Sequence, residues 1–447
     1  MHWDVSDMQK RAIEFISEHK RCVLMVERPE DKVYITLSAV QELIFNRFLV
    51  RKVLILTSKY SAEHIWLQAK NKYNDIVILE NSLVLGSKKQ KIRALCKKAD
   101  YYIMNYDAIS ISNLKRLFDF DMLVIDELNE FRNFRTKKYQ SLLLFCSKIN
   151  RILGITRELT THSLNDMWAE FYILDGGERL EKTYDQFCEK YFFKVITNKG
   201  KGYIYEPKNC ALEEIAKSIS DISYLYKLNA NERKGKRQSV YYAHLNSIEM
   251  TRYLWMKKES EIMLDKNKLI SASGIVDLST KLFQMANGAV YNNEHEIIIL
   301  HDRKLDALKE IVKMYTDRNI LIAYWFLHDA ERIVSVFKNA KILESESDIN
   351  EWNAGKYTIA LIHPALKPEI GLFGGGNTLI WFSLTWSLHL YNNLNERIVE
   401  GNKDNKGTII HIVAADTIDE KIYQTLSKKE TNQQELINTM IKENANE

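Results

Sequence analysis

The chain has 447 residues, enough for two domains of about 200 each. Hydrophobic residues make up 46%, charged residues 27%, and the formal net charge is +4, so it is globular rather than a uniformly basic nucleic-acid binder, and any nucleic-acid site must come from local patches. Five scattered cysteines without CxxC spacing exclude a disulfide scaffold and fit a reduced cytoplasmic setting, and no apolar run reaches the roughly 18 residues of a membrane span.

The N-terminal segment MHWDVSDMQKRAIEF lacks the apolar stretch of a signal peptide. Short apolar runs then alternate with helical stretches: CVLMV from Cys22, KVLILT from Lys52, IVIL from Ile76, YYIMNY from Tyr101, DMLVID from Asp121 and RILGIT from Arg151. Near-continuous apolar runs mark strands buried on both faces of a parallel sheet. Helix-like stretches such as Ser61–Tyr73 between them imply right-handed β-α-β crossovers. From about Asp185 to Gly288 the chain reads as helical, charged and strand-poor, including the basic stretch NERKGKRQ at Asn231–Gln238. The alternation resumes with NILIAYWF from Asn319, KYTIALIH from Lys356, NTLIWFS from Asn377 and TIIHIV from Thr408. A polar helical tail, Thr417–Glu447, is expected to pack on the second lobe. The expected fold class is therefore α/β with two parallel-sheet lobes, residues 1–220 and 221–447, and helical insertions between them.

Several long segments carry a family resemblance: Phe120–Asn133 (FDMLVIDELNEFRN), Asn150–Leu180, Leu278–Tyr291 (LSTKLFQMANGAVY), the stretch ILIAYWFLHDAERI from Leu321's neighbourhood, and Asn377–Ile398 (NTLIWFSLTWSLHLYNNLNERI). In this order, over nearly the whole chain, they resemble the Swi/Snf-related helicase-like ATPases of superfamily 2, in the compact form found in bacteriophages. The resemblance implies two RecA-like lobes that bind ATP between them and move along duplex DNA.

Carried over residue by residue, it also implies departures. Gln9 stands where the family reads adenine, although a solvated helix-start glutamine explains it equally. Lys32 falls on the phosphate-loop lysine of GxxxxGK[ST], in which amides cradle phosphates and the hydroxyl holds Mg²⁺. Here the glycines are gone and Pro29, Glu30 and Asp31 fill the loop, Pro29 removes an amide donor, and Val33 replaces the hydroxyl. Asp126 and Glu127, after the strand MLVID, match the pair that holds the metal and activates water. Without a metal they are expected to cap a helix or to pair with Lys32. The coupling turn reads Thr156-Arg157-Glu158-Leu159, with only the threonine retained. Arg397 matches the first family arginine, whereas Glu400 stands at the second, often the arginine finger, which is worth about 10³–10⁵ in rate. Gly374-Gly375-Gly376 reads as a loop before a strand, and Trp325, Trp381 and Trp386 as core.

Two basic clusters are candidate DNA contacts, Lys88 and Lys89 with their neighbours, and Arg233, Lys234, Lys236 and Arg237, because phosphate binding requires such charge. A solvated helix face explains a charge run as well. The leading reading is a catalytically inactive pseudo-helicase that binds DNA or a protein, with duplex DNA the expected partner, a protein of a replication or defence complex a further one, and no resident cofactor or metal. One alternative is a slow DNA-dependent ATPase using ATP and Mg²⁺ through Lys32, Asp126, Glu127 and Arg397. Another is a protein-only adaptor or inhibitor of a replication or defence complex. No membrane partner is expected, and the phage-type resemblance implies a phage or prophage gene product in the bacterial cytoplasm.

Overall fold

The computed structural model describes residues 6–26, 29–73, 79–110, 120–158, 163–196, 203–226, 235–263, 269–315, 318–366, 370–372, 374–400 and 406–445. The chain divides into two units, residues 1–231 with 431–447, and residues 232–430. The α/β class with two parallel-sheet lobes is as expected.

In the first unit, seven strands among the described residues form one sheet: β1 (Arg21–Val26), β2 (Val53–Thr57), β3 (Asn81–Val84), β4 (Tyr101–Asn105), β5 (Met122–Asp126), β6 (Arg151–Thr156) and β9 (Ser223–Tyr226). Their spatial order is β3-β4-β2-β5-β6-β1-β9 and every pairing is parallel. The central strands β2, β5 and β6 are buried along their whole length. That follows from apolar cores on both faces, one holding Leu56, Leu123 and Ile125, the other Ile55, Val124 and Leu153. The predicted run IVIL falls almost wholly outside the described residues, while β3 was not expected.

The second unit has six strands in one parallel sheet among the described residues: β10 (Gly235–Ala243), β15 (Ile320–Ala323), β16 (Lys341–Ile342), β17 (Ile359–Ile362), β18 (Thr378–Trp381) and β19 (Lys406–Ala414). The order is β10-β19-β18-β15-β17-β16. Three antiparallel pairs complete the strand set: β7 (Phe192–Ile196) with β8 (Tyr203–Pro207), β11 (Glu261–Met263) with β12 (Leu269–Ser271), and β13 (Ala289–Tyr291) with β14 (Ile297–Ile299).

Three expectations are corrected. The middle of the chain is not strand-poor, since β7 to β12 lie within it. Half of NERKGKRQ begins the nine-residue strand β10, paired with β19 from Gly235–Lys406 to Ala243–Ala414. Its basic start misleads because β10 is an edge strand, which tolerates polar residues, while SVYYA carries the β propensity. The tail does not stay with the second lobe. Within the helix Ile418–Ala445, Leu436, Ile437 and Met440 bury into a core of the first unit, an i, i+1, i+4 stripe facing inward. Finally, Trp381 is core, but Trp325 is half-buried and Trp386 is 41% exposed.

Candidate functional site

The site of the first unit lies at the carboxyl ends of its parallel strands, where loops meet helix starts. Helix α1 (Asp7–Glu18) begins with a capping box, in which Ser6 Oγ accepts from the Gln9 amide at 3.2 Å and Gln9 Oε1 accepts from the Ser6 amide at 3.0 Å. Gln9 is buried, so it is not a solvated surface residue. Its Nε2 donates to Asp31 Oδ1 at 3.1 Å.

Helix α2 (Pro29–Gln41) starts three residues after β1 ends. Proline suits the first helical position, where its fixed φ is already helical and its missing amide breaks no intrahelical bond. Val33, Tyr34, Ile35, Leu37, Ala39 and Val40 then drive the helix into the core. Lys32 is carried inward with them and is 3% exposed. Its Nζ donates to Asp126 Oδ1 at 2.7 Å and to Glu127 Oε1 at 3.3 Å. Burial alone lowers a lysine pKa; the Asp126 and Glu127 carboxylates more than offset it and hold Lys32 above its ordinary value.

Asp126 ends β5, one strand (β6) away from β1. Its second oxygen, Oδ2, accepts from Thr57 Oγ1 at 2.7 Å and from Trp66 Nε1 at 2.8 Å. Thr57 is the last residue of β2, and Trp66 comes from the π-helical turn Ala62–Trp66. The Tyr106 hydroxyl donates to the Asp126 carbonyl. Burial, then the Asp126 and Glu127 charges, push the Tyr106 phenol well above its usual range, so it remains a donor. Glu127 follows in the left-handed region, with φ +57°. A non-glycine residue there stores strain of about 1 kcal/mol or more. Arg157 Nε stands 3.8 Å from Glu127 Oε1. The turn bearing Arg157 is closed by Thr156, whose Oγ1 donates to the Glu158 carbonyl at 2.7 Å and accepts from the Glu158 amide at 3.2 Å.

The structure therefore gathers Gln9, Lys32, Asp126 and Glu127, with Asp31 beside them. Sequence reasoning did not single out Thr57, Trp66 or Tyr106. Their only signal was a hydroxyl or ring at a strand end or helix turn. Arg397 lies in the second unit, on the helix Leu388–Glu400, buried, donating through Nε to the Ile370 carbonyl at 2.7 Å and through Nη1 to the Leu366 carbonyl at 3.4 Å. The Glu400 side chain lies outside the described residues. Gly374 to Gly376 form a loop before β18, as expected, and a Cβ on Gly375 would lie 2.2 Å from the Trp352 ring.

Of the basic candidates, Lys88 and Lys89 open the helix Lys88–Leu95 after β3 and are exposed, on the same carboxyl edge of the sheet as Lys32. Arg237 is exposed on β10. The Lys236 side chain, and Arg233 and Lys234 altogether, lie outside the described residues. Among the described residues no cluster of three His, Cys, Asp or Glu side chains suits a metal ion, and no helix is long and apolar enough to cross a membrane.

The second unit holds a buried polar network of its own. Ser383 Oγ donates to Asp329 Oδ2 at 2.6 Å, and Asn287 Nδ2 donates to the same oxygen at 2.9 Å. Lys304 Nζ donates to Asn287 Oδ1 at 2.9 Å and to Asp419 Oδ2 at 2.7 Å, and the Ala414 amide donates to that Asp419 oxygen at 2.9 Å.

No family model matches the chain. It is 28% identical over 426 residues to the p41 protein of Acyrthosiphon pisum secondary endosymbiont phage 1, covering 92% of each chain. It is similar in structure to the Sulfolobus solfataricus SWI2/SNF2 ATPase core in complex with dsDNA, with TM-score 0.45 and 17% identity over 97% of this chain and 93% of that one. A second structure, the Sulfolobus solfataricus SWI2/SNF2 ATPase core domain, gives TM-score 0.43 and 16% identity over 96% and 89%.

Proposed function

We propose that this chain is a helicase-like, duplex-DNA-binding protein of the Swi/Snf type that does not turn over ATP. One observation carries the reading. The residues in the positions of the phosphate-loop lysine and the metal-binding carboxylate satisfy each other, with Lys32 on one oxygen of Asp126 and Thr57 and Trp66 on the other. Lys32 and Arg157 are already matched by Asp126 and Glu127, and Asp31 adds a further carboxylate, so the pocket presents no surplus of positive charge to a polyphosphate.

ATP with Mg²⁺ does not fit this donor set well. A phosphate cradle needs several converging amides, but only Glu27 and Arg28 separate β1 from α2, and Pro29 contributes none. Val33 is packed in the core and has no oxygen for a metal. No hydrolytic step is therefore assigned to these residues. Duplex binding draws on the family resemblance and on Lys88 and Lys89 at the carboxyl edge of the sheet. The phage relative fits a phage-encoded product acting inside the host cell.

Calorimetry with a non-hydrolysable ATP analogue, Mg²⁺ and duplex DNA tests the nucleotide half, and salt-dependent duplex binding tests the other. The expectation is no millimolar-or-better nucleotide affinity and no DNA-stimulated ATPase, alongside duplex binding that weakens steeply with salt. ATP turnover by the wild type that disappears in Glu127→Gln would overturn the inactive reading.

A further inference from the structure

In the second unit, the helix Ser247–Glu259 carries apolar residues on both faces. Its start is fixed by a capping box: Asn246 Oδ1 accepts from the Ile248 and Glu249 amides at 3.0 and 2.9 Å, and Glu249 Oε2 accepts from the Asn246 amide at 2.8 Å. Arg303 adds two bonds to the Glu249 carboxylate, at 3.0 and 3.2 Å. One face is core. Tyr253 and Met256 are buried in a cluster with Leu282 and Met285 of the helix Ile275–Asn287, and the Tyr253 hydroxyl accepts from the Ile418 amide at 2.7 Å. The helix is therefore held in place from that side.

The opposite face is also apolar, and it lies in solvent. Ile248 is 64% exposed, Trp255 59% and Leu254 48%. Residues three and four apart are neighbours on a helix surface. Exposed Arg252 thus stands between Ile248 and Trp255, and the three form one ridge along about two turns. A helix that is apolar all round is ordinarily covered on both sides. The charges around the ridge select what covers it. Lys258 is paired with Glu259 at 3.1 Å, and the Glu249 carboxylate is committed to Arg303 and to its own cap. Among the described residues Arg252 and Lys257 belong to no ion pair, so the uncommitted charge is positive. A second copy of this chain is a poor occupant. Antiparallel pairing of the face with itself sets Arg252, at the middle of the ridge, against its own counterpart, a like-charge contact. Two uncommitted cations are few for a nucleic acid, whose affinity comes from phosphate contacts. Trp and Arg are the residue types that anchor protein interfaces, and a ridge of this shape fits against another helix.

We propose that the solvent face of the helix Ser247–Glu259 docks an acidic amphipathic helix of a partner protein, with Trp255 as the apolar anchor and Arg252 as the ion-pairing group beside it. The proposal does not depend on the duplex-binding reading. The test uses the full chain and a fluorescently labelled synthetic helix of about 18 residues, with leucines at helical spacing on one face and glutamates elsewhere, read by anisotropy. Wild type is expected to bind it and not to bind the same peptide with lysine in place of glutamate. Trp255→Ala should weaken binding about tenfold or more, with an unchanged melting transition because the ring is more than half exposed. Arg252→Glu gives a second readout, since it should lose the acidic peptide and gain the basic one. Wild type that binds neither peptide, or both equally, overturns the proposal, and so does a Trp255→Ala variant equal to wild type. Wild type that binds neither peptide but binds single-stranded oligothymidylate through Trp255 also overturns it and assigns the face to nucleic acid.

Discussion

Among the described residues each unit buries a lysine against carboxylate, Lys32 in the first and Lys304 in the second, and the two sites are built differently. Lys304 and its partner Asp419 are both completely buried. Asp419 also accepts the Ala414 amide, and Asn287 links Lys304 onward to Asp329 and Ser383. Every group in that chain lies inside the second unit's packing, so the network pins elements together. Lys32 reaches its partners where loops leave the first unit's sheet. Its second partner, Glu127, keeps 23% of its side chain exposed and sits on left-handed backbone. Arrangements that tolerate strain at a strand end are characteristic of sites rather than of staples. Two lysines with similar first contacts thus stand in different settings.

Substitution separates them. Lys304→Met removes one member of a closed, fully desolvated pair and strands Asp419. The expected loss is about 3–5 kcal/mol in denaturant unfolding. Lys32→Met should cost less, about 1–3 kcal/mol, because Asp126 keeps Thr57 and Trp66 as donors and Glu127 keeps Arg157 nearby. Equal losses for the two variants would break the comparison and make Lys32 a structural staple as well.

The contrast also explains what the sequence could reveal. Buried parallel strands announce themselves as apolar runs, so β1, β2, β4, β5, β6, β15, β17, β18 and β19 were legible. Edge strands carry mixed residues on a less buried surface, and β3, β9, β10 and β16 were missed for that reason. The Lys32–Asp126 pairing was among the expected outcomes because both residues fall on motif positions of the family resemblance. Thr57, Trp66 and Tyr106 reach Asp126 from three other elements, and nothing in local spacing brings them together. The second network was hidden differently. Asn287, Asp329 and Ser383 lie within the very segments that carry the family resemblance, but nothing in the local sequence marks them as partners. Their partnership exists only across the fold.

The smallest expected effect concerns a third buried ionisable group. Glu170, in the helix Asp166–Asp175, is fully buried, and neither carboxyl oxygen has a hydrogen-bond partner among the described residues. Burial first, and the Asp166 charge second, push its pKa well above the ordinary 4.5. Lys32 sits against carboxylates that favour its charged form; around Glu170 burial and Asp166 outweigh the opposing charge of Arg132 and favour the neutral carboxyl. Below pH 4.5 the carboxyl is protonated whether the chain is folded or unfolded, and the group does not affect stability. As pH rises past that point the unfolded chain loses the proton while the folded chain keeps it. Stability therefore falls with pH, by at most about 1.4 kcal/mol per unit, until the folded group itself ionises. Glu170→Gln preserves the shape and cannot ionise. Unfolding measured at pH 4, 6 and 8 should show the variant equal to wild type at the lowest pH and increasingly more stable above it. A difference that stays flat with pH would show that Glu170 ionises in the folded protein as it does in the unfolded one, the opposing charge of Arg132 then outweighing more of its burial than expected.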